Sequence, residues 1–351
     1  MNSRQLTNYI KGFAIVTVLV DHYSGQFLSH YYGWIGDYAN GFIAVFFFLS
    51  GYGLFYSFEK RFAITSGKVA VARYFVDRAL RILPFYWLSL YIAPWIFPGN
   101  FEILHRPGGW LIYLGLPFMG APWLYWFLTA LFQCYLAAPL LYFILKRIPL
   151  WTFLSALAGL ALIALPFSLL LPFTHAVDVL EYRYFLGAHL ILFALGMASP
   201  AIVARMTGRV SRPMLAESLA ALLLTVYLTR TGDDIFYKSH IALIPLMILS
   251  TFVTGVVWLS LSPSMPFQKV LATLGMHSYP IYLFHIPFFG LLLNFGLLKN
   301  NDPMSIVTII VLIPIFLYLC IKAEEVFVRA SRMMTFHAGR VLRSTTEALF
   351  D

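Results

Sequence analysis

Long apolar runs, separated by short polar segments, extend from the start of this chain to about residue 322. A run of about 20 mainly apolar residues is long enough to cross the hydrocarbon core of a bilayer as an α-helix. The pattern therefore predicts an all-α fold, a bundle of about ten transmembrane helices. The predicted spans are 9–29, 40–58, 79–97, 122–145, 150–171, 185–203, 214–230, 240–261, 270–293 and 304–322.

Two segments depart from this pattern. Residues 101–120 contain Glu102, His105 and Arg106 and are too short and too broken for a span, so we expect an interfacial or re-entrant element. Residues 323–351 mix basic and apolar side chains, which is typical of a helix lying on the inner membrane surface. The sequence predicts a transmembrane domain at 1–322 and a cytoplasmic basic amphipathic tail at 323–351.

The composition supports a membrane protein. Hydrophobic residues make up 60% of the chain and charged residues only 11%, whereas soluble domains carry about 25% charged residues. The formal net charge of +9 is explained by basic residues in cytoplasmic connections, so the partner it indicates is the lipid bilayer and not nucleic acid. The absence of any N-x-Ser/Thr sequon favours a bacterial source, and hence the inner membrane.

The distribution of basic residues predicts the orientation. If the N-terminus is cytoplasmic, most of the 24 Lys and Arg residues fall in cytoplasmic segments. Such a bias is typical of the cytoplasmic side of a membrane protein. We therefore expect both termini in the cytoplasm and an even number of spans. The basic residues that fall on the other side are Arg106, Arg183, Arg230, Lys238 and Lys299.

Nothing in the sequence indicates a metal site or nucleotide hydrolysis. Cys134 and Cys320 lie inside predicted spans, where we interpret them as buried apolar residues. The sequence has no HExxH or CxxC motif, no carboxylate cluster and no phosphate-binding glycine loop. We therefore expect no metal cofactor.

The first predicted span contains two titratable residues, Asp21 and His22, in the stretch "KGFAIVTVLVDHYSG". Ionisable groups at membrane depth are costly and tend to be functional. Lys11 and His22 share one helix face because eleven residues make about three turns, with a rise of about 16 Å. His22 then suits a general base with Asp21 as its orienting group. The alternative is that both are simply hydrated at the outer helix end.

Ser50 and two glycines occur in the second predicted span, "GFIAVFFFLSGYGLF". Small residues such as Gly51 and Gly53 allow the close approach of another helix or of a ligand. The sequence leaves helix packing and ligand binding equally open.

Two arginines, Arg78 and Arg81, stand at i and i+3 where the third span begins. Two guanidinium groups on one face can bind phosphates bidentately. Membrane topology alone also predicts arginine at such a helix end.

A fourth motif, "LGMHSYPIYLFH" at 274–285, places Ser278, Tyr282 and His285 on one face of the ninth span. His285 is predicted at a depth close to that of His22, which indicates a polar cavity between the helices. We interpret the remaining histidines of the spans, His189, His240 and His277, as structural or hydrated.

These motifs, in this order, resemble the acyltransferase-3 family of integral membrane proteins, which O-acetylate bacterial cell-surface carbohydrates. The segment "LYWFLTALFQCYL" at 124–136 looks like the family's Trp-containing region, although Leu131 stands where many members have an acidic residue. The resemblance covers roughly residues 5–322. The matching residues are Lys11 and His22, "FFFLSGY" with Ser50, Gly51 and Tyr52, Arg78 and Arg81 before "ILPFYW", and Ser278, Tyr279, Tyr282, Leu283 and His285.

The resemblance implies a donor and an acceptor on opposite sides of the membrane. The donor would be acetyl-CoA from the cytoplasm, and the acceptor a carbohydrate or glycolipid, with a separate periplasmic acyl-transfer partner as an option. His22 and Asp21 would provide base catalysis, while His285 and Tyr282 would place the acceptor or stabilise the oxyanion. Direct transfer and a covalent acetyl-histidine both remain open.

The resemblance also implies how the donor would bind. The phosphates would contact Lys11, Arg78 and Arg81, and the pantetheine arm would pass beside Ser50, Gly51 and Tyr52.

A function from a different class fits the same residues. The chain could be a glycolipid flippase or proton-coupled transporter, with His22 and His285 lining its path. Binding of an acyl-CoA and release of free thiol would distinguish the enzyme from the transporter.

Overall fold

The computed structural model describes residues 3–27, 42–65, 67–97, 99, 101–116, 125–170, 186–206, 210–231, 240–261, 266–299, 302 and 304–347. These residues form twelve α-helices, together with short 3₁₀ helices at Phe42–Ala44 and Glu102–His105. The predicted all-α class is confirmed. The helices are α1 Ser3–Phe27, α2 Val45–Ile64, α3 Gly67–Ile96, α4 Trp110–Tyr113, α5 Trp126–Arg147, α6 Leu150–Leu170, α7 Leu186–Met206, α8 Arg212–Thr231, α9 His240–Leu261, α10 Pro266–Met276, α11 Ser278–Asn294 and α12 Met304–Glu347.

Helices occur at every predicted span, and several are suited to a membrane. Within the described residues, four helices have the length and hydropathy needed to cross a bilayer: Phe42–Ile64, Gly67–Ile96, Trp126–Arg147 and Met304–Arg329. These apolar helices make the protein an integral membrane protein. The total of about ten spans and the cytoplasmic position of both termini remain predictions.

The ninth predicted span is divided into two helices, α10 and α11, at His277. Pro280 explains the break, because it lacks the N–H that would bond to the carbonyl of Met276. The α10 helix accordingly ends at Met276, and α11 begins at Ser278.

Residues 101–116 form no helix of span length, as expected from the interruption in the apolar pattern. The short helix α4 is attached to α3 by two hydrogen bonds. The Tyr86 hydroxyl donates to the carbonyl of Ile112 at 2.7 Å, and the Trp87 indole donates to that of Tyr113 at 2.7 Å. Residues 117–120 of the predicted element lie outside the described residues.

The α12 helix continues without a break past the predicted boundary between residues 322 and 323. Glu324, just beyond that boundary, is bonded to His277 with 2.8 Å between Oε2 and Nδ1. This contact attaches α12 to the junction between α10 and α11. The division into a membrane domain and a surface tail remains a prediction.

The α1 helix is central to the bundle and contacts α2, α9, α10 and α11. Its crossing with α10 depends on two glycines. A Cβ atom at Gly12 would collide with the carbonyl of Leu271, and one at Gly275 with the carbonyl of Asn8. This backbone-to-backbone contact fixes the part of α1 that carries Lys11.

Candidate active site

His22 of α1 and His285 of α11 lie side by side. Their ring centroids are 4.9 Å apart, with the ring planes inclined at 46°. His285 is only 2% exposed, and His22 is half-buried. The shared depth predicted for these two histidines therefore corresponds to a direct contact. Asp21 is also half-buried, one position before His22, and its role as orienting group remains a prediction.

The hydrogen bonding of His285 defines its tautomer. Nδ1 lies within hydrogen-bonding distance of the backbone carbonyl of Tyr282. Because a carbonyl can only accept, Nδ1 carries the proton, and Nε2 of the neutral ring is an acceptor. Nε2 is buried and has no hydrogen-bond partner among the described residues. It can therefore accept a hydrogen bond from a ligand hydroxyl group.

Aromatic side chains enclose the histidine pair. The Tyr282 ring lies 5.5 Å from His285 and 4.9 Å from Phe127. On the other side, Phe289 lies 6.3 Å from His285 and 6.0 Å from Tyr23. Polar interactions are stronger in such low-dielectric surroundings than in water. The pair is thus placed in an environment that suits proton transfer to or from a bound hydroxyl.

The aromatic enclosure extends to His189, which the sequence analysis interpreted as structural or hydrated. The His189 ring stacks on Phe47 at 4.3 Å with a 4° interplanar angle, and lies 5.7 Å from Trp126. Phe47 in turn lies 4.9 Å from Phe127. No local sequence signal reveals this group, because its members come from α2, α5 and α7.

Lys11 of α1 converges with Arg78 and Arg81 of α3. The three side chains are close enough to interact electrostatically. In the part of the chain that the structure describes, none of them forms an ion pair with a carboxylate. Clustered like charges repel one another, and a bound anion would relieve that repulsion. The fold thus brings these three cations together, and their role in phosphate binding stays a prediction.

Tyr135 of α5 connects this cationic cluster to Ser50. The guanidinium carbon of Arg78 lies 5.9 Å from the centre of the Tyr135 ring, a cation–π arrangement. The Tyr135 hydroxyl donates to the Ser50 hydroxyl at 3.4 Å. The backbone carbonyl of Tyr135 accepts a hydrogen bond from the Tyr74 hydroxyl at 3.0 Å. Tyr135 thus links Ser50 to the cluster, and a role of Ser50 in donor binding stays a prediction. No motif in the sequence singled out Tyr135.

The two residues that follow Ser50 have different surroundings. A Cβ atom at Gly51 would collide with the carbonyl of Phe193 in α7. Tyr52 is fully buried, with its ring 5.3 Å from that of Phe252 in α9. The fold thus gives Gly51 a packing role between α2 and α7. A role of Gly51 and Tyr52 in donor binding stays a prediction.

The histidine pair and the cationic cluster lie at two levels of one helix. Lys11 and His22 both belong to α1, which is continuous from Ser3 to Phe27. The helical rise between them is about 16 Å. An elongated molecule with an anionic end could contact both levels at once.

The comparisons with known proteins identify the family. The family model Acyl_transf_3, described as an acyltransferase domain, matches residues 7–323. No curated protein and no solved structure matches the chain. The matched region contains His22 and His285 as well as Lys11, Arg78 and Arg81. A transporter would not catalyse acyl transfer, so the match favours the enzyme over the transporter. Since the match extends over nearly all of the helices, the chain belongs to the acyltransferase-3 family and is a membrane-bound acyl-transfer enzyme.

Proposed function

We propose that this protein transfers an acetyl or other short acyl group from cytoplasmic acyl-CoA to a carbohydrate hydroxyl, across a bacterial inner membrane. The acceptor is a cell-surface glycan or its lipid-linked precursor. The observation that carries the proposal is the placement of a cationic cluster and a histidine pair about 16 Å apart along α1. An anionic donor suits the first site, and an alcohol that must be deprotonated suits the second.

The cationic cluster supplies the binding site for the donor phosphates. Lys11, Arg78 and Arg81 have no carboxylate partner among the described residues. The Nε atom of Arg78 is buried and lacks a hydrogen-bond partner there. A phosphate oxygen would provide that partner and offset the repulsion among the three cations.

The distance between the two sites fits the shape of the donor. In an acyl-CoA, a flexible pantetheine arm separates the phosphates from the thioester. With the phosphates at Lys11, the arm would run past Ser50 and Tyr135 and deliver the thioester to His22. His22 lies far along α1 because the acyl group must meet an acceptor that arrives from the opposite side of the membrane.

The histidine pair performs the chemistry. His22 removes the proton from the acceptor hydroxyl as its oxygen attacks the thioester carbonyl. The new C–O bond forms, the C–S bond breaks, and the His22 imidazolium returns the proton to the departing thiolate. Nε2 of His285 accepts a hydrogen bond from a second hydroxyl of the acceptor sugar and so orients the sugar, while the Tyr282 hydroxyl stabilises the oxyanion. Asp21 orients His22.

Calorimetric titration of the detergent-purified protein with acetyl-CoA tests the donor assignment. We expect saturable binding by the wild type and a large loss of affinity in the Arg78→Ala/Arg81→Ala double variant. Arg147→Ala is the matched control, because Arg147 is an exposed arginine at the end of α5 that does not belong to the cluster. Absence of binding by folded wild-type protein would show that acyl-CoA is not the donor.

A further inference from the structure

A second basic site lies between the C-terminal end of α2 and the beginning of α3. A cavity of about 320 Å³ there is lined by Ser57, Lys60, Arg61, Thr65 and Arg73, together with Ile64 and Ala70. The lining thus contains three cations and two hydroxyl groups, without a carboxylate. We call it the hairpin groove. Its residues are distinct from the cluster at Lys11, Arg78 and Arg81.

Arg61 is held in a fixed orientation at this groove. Its Nε donates to the Ser57 hydroxyl at 3.4 Å, and its Nη2 lies 2.6 Å from Oδ2 of Asp77. Lys60 and Arg73 are exposed and form no ion pair with any residue that the structure describes. The groove therefore has more positive charge than Asp77 neutralises, which suits an anionic ligand.

The hairpin groove is connected to the cationic cluster. Tyr74, which follows Arg73 on α3, donates to the carbonyl of Tyr135, whose ring lies beside Arg78, and Arg73 precedes Arg78 by five residues on α3. The corresponding helical rise is about 7.5 Å. Five residues also turn the helix by about 140°, so the hairpin groove and the cationic cluster lie at neighbouring levels on different sides of α3.

An acyl-CoA has two anionic groups close together. One is the diphosphate attached to its pantetheine arm, and the other is a phosphate monoester on the 3′ position of the adjoining ribose. A phosphate monoester carries a charge of about −1.5 to −2 at pH 7. We infer that the hairpin groove binds the 3′-phosphate of the donor, while Lys11, Arg78 and Arg81 bind its diphosphate. This inference rests on the proposed function and adds a second recognition site for the same donor.

Removal of the 3′-phosphate from the donor tests the assignment. Acetyl-CoA and acetyl-3′-dephospho-CoA are titrated into full-length protein in nanodiscs of zwitterionic lipid. The proteins compared are the wild type, Lys60→Gln/Arg73→Gln and the control Arg147→Gln, which removes an exposed cation outside the groove. In the wild type and the control we expect the dephospho donor to bind about tenfold more weakly, the effect of a charge-assisted contact. In the double variant the two donors should bind within about twofold of each other.

The dephospho donor also provides the folding control, because it should bind equally to the wild type and the double variant. Equal binding of the two donors by wild-type protein would overturn the inference and leave the proposed function intact. The same conclusion follows if the double variant discriminates as well as the wild type. Failure of both donors to bind the wild type would overturn the proposed function and the inference together.

A phospholipid headgroup presents the same phosphate chemistry at a membrane surface. The titrations are therefore repeated in nanodiscs that contain an anionic phosphatidylglycerol. If the double substitution abolishes retention of this lipid but preserves discrimination between the donors, the groove is a lipid site and the inference is wrong. If donor discrimination is lost in both types of nanodisc, the 3′-phosphate assignment is supported.

Discussion

The imidazole of His285 receives its orientation from the backbone of its own helix, and it faces His22 at a centroid distance of 4.9 Å. One nitrogen is bonded to the carbonyl of Tyr282, and the other, Nε2, is buried without a hydrogen-bond partner among the described residues. The two histidines are therefore not equivalent. His285 is suited to accept a hydrogen bond, and His22 is suited to take up the proton.

The first prediction concerns His22. His22→Ala should reduce acyl transfer about 10²- to 10⁴-fold, because that is the usual contribution of general-base catalysis. The affinity for acetyl-CoA should remain close to that of the wild type, since His22 lies about 16 Å from the phosphate site. Release of free CoA thiol measures transfer, and calorimetry measures binding. His105→Ala, at an exposed histidine, is the control, and wild-type turnover by His22→Ala would refute the mechanism.

The second prediction separates two roles for His285. His285→Gln retains a polar group near the position of Nε2, whereas His285→Ala removes it. If Nε2 orients the acceptor by a hydrogen bond, Ala should lower kcat/KM for the acceptor by about 10- to 100-fold and Gln by much less. Equal losses in both variants, with reduced thermal stability, would instead indicate a packing role.

The third prediction concerns Gly51 and Gly53, which lie two positions apart on α2. A Cβ atom at Gly51 would meet the carbonyl of Phe193, whereas one at Gly53 would have no described neighbour within 4 Å beyond the adjoining backbone of its own helix. Gly51→Ala should destabilise the protein by about 1–3 kcal/mol through overpacking. Gly53→Ala should be neutral or stabilising by about 0.5–1 kcal/mol. Thermal unfolding in detergent measures both. A loss of donor affinity in Gly51→Ala without any loss of stability would favour the ligand-binding role that the sequence left open.

The fourth prediction concerns the attachment of α12. The His277–Glu324 pair is largely buried, with side-chain exposures of 11% and 13%, whereas the Lys322–Glu325 pair is exposed. Glu324→Ala should lower the free energy of unfolding by about 1–3 kcal/mol. It should also speed amide hydrogen exchange near the middle of α12, around residue 324. Glu325→Ala should change the stability much less, as is usual for surface ion pairs. Equal effects of the two substitutions would show that the buried pair does not attach the helix.

Particular residues show how far the sequence could predict this structure. The helices follow from apolar runs, and the convergence of Lys11 with Arg78 and Arg81 follows from their placement at one end of the bundle. Tyr135 and His189 could not be predicted, because their contacts depend on which helices are neighbours, and helical periodicity contains no such information.

The glycine crossings illustrate the same limit at the level of packing. Gly12 has no distinctive sequence context, yet its lack of a side chain allows the backbone contact between α1 and α10. The division of the ninth span at His277 was only partly predictable. Pro280 indicated an irregularity, but the helix ends at the residue whose carbonyl the proline cannot bond.

The last prediction uses Tyr135 to test whether the cationic cluster is held in position for the donor. Tyr135→Phe removes the hydroxyl that contacts Ser50 but retains the ring beside Arg78, and Tyr135→Leu removes both. A cation–π contact contributes about 0.5–2 kcal/mol, so Tyr135→Leu should weaken acetyl-CoA binding by about 2- to 30-fold. Tyr135→Phe should bind almost as the wild type does. If the ring acts through Arg78, then Tyr135→Leu should have no further effect in an Arg78→Ala background, because the two substitutions remove the same interaction. Additive losses in the double variant would show that Tyr135 contributes to donor binding independently of Arg78.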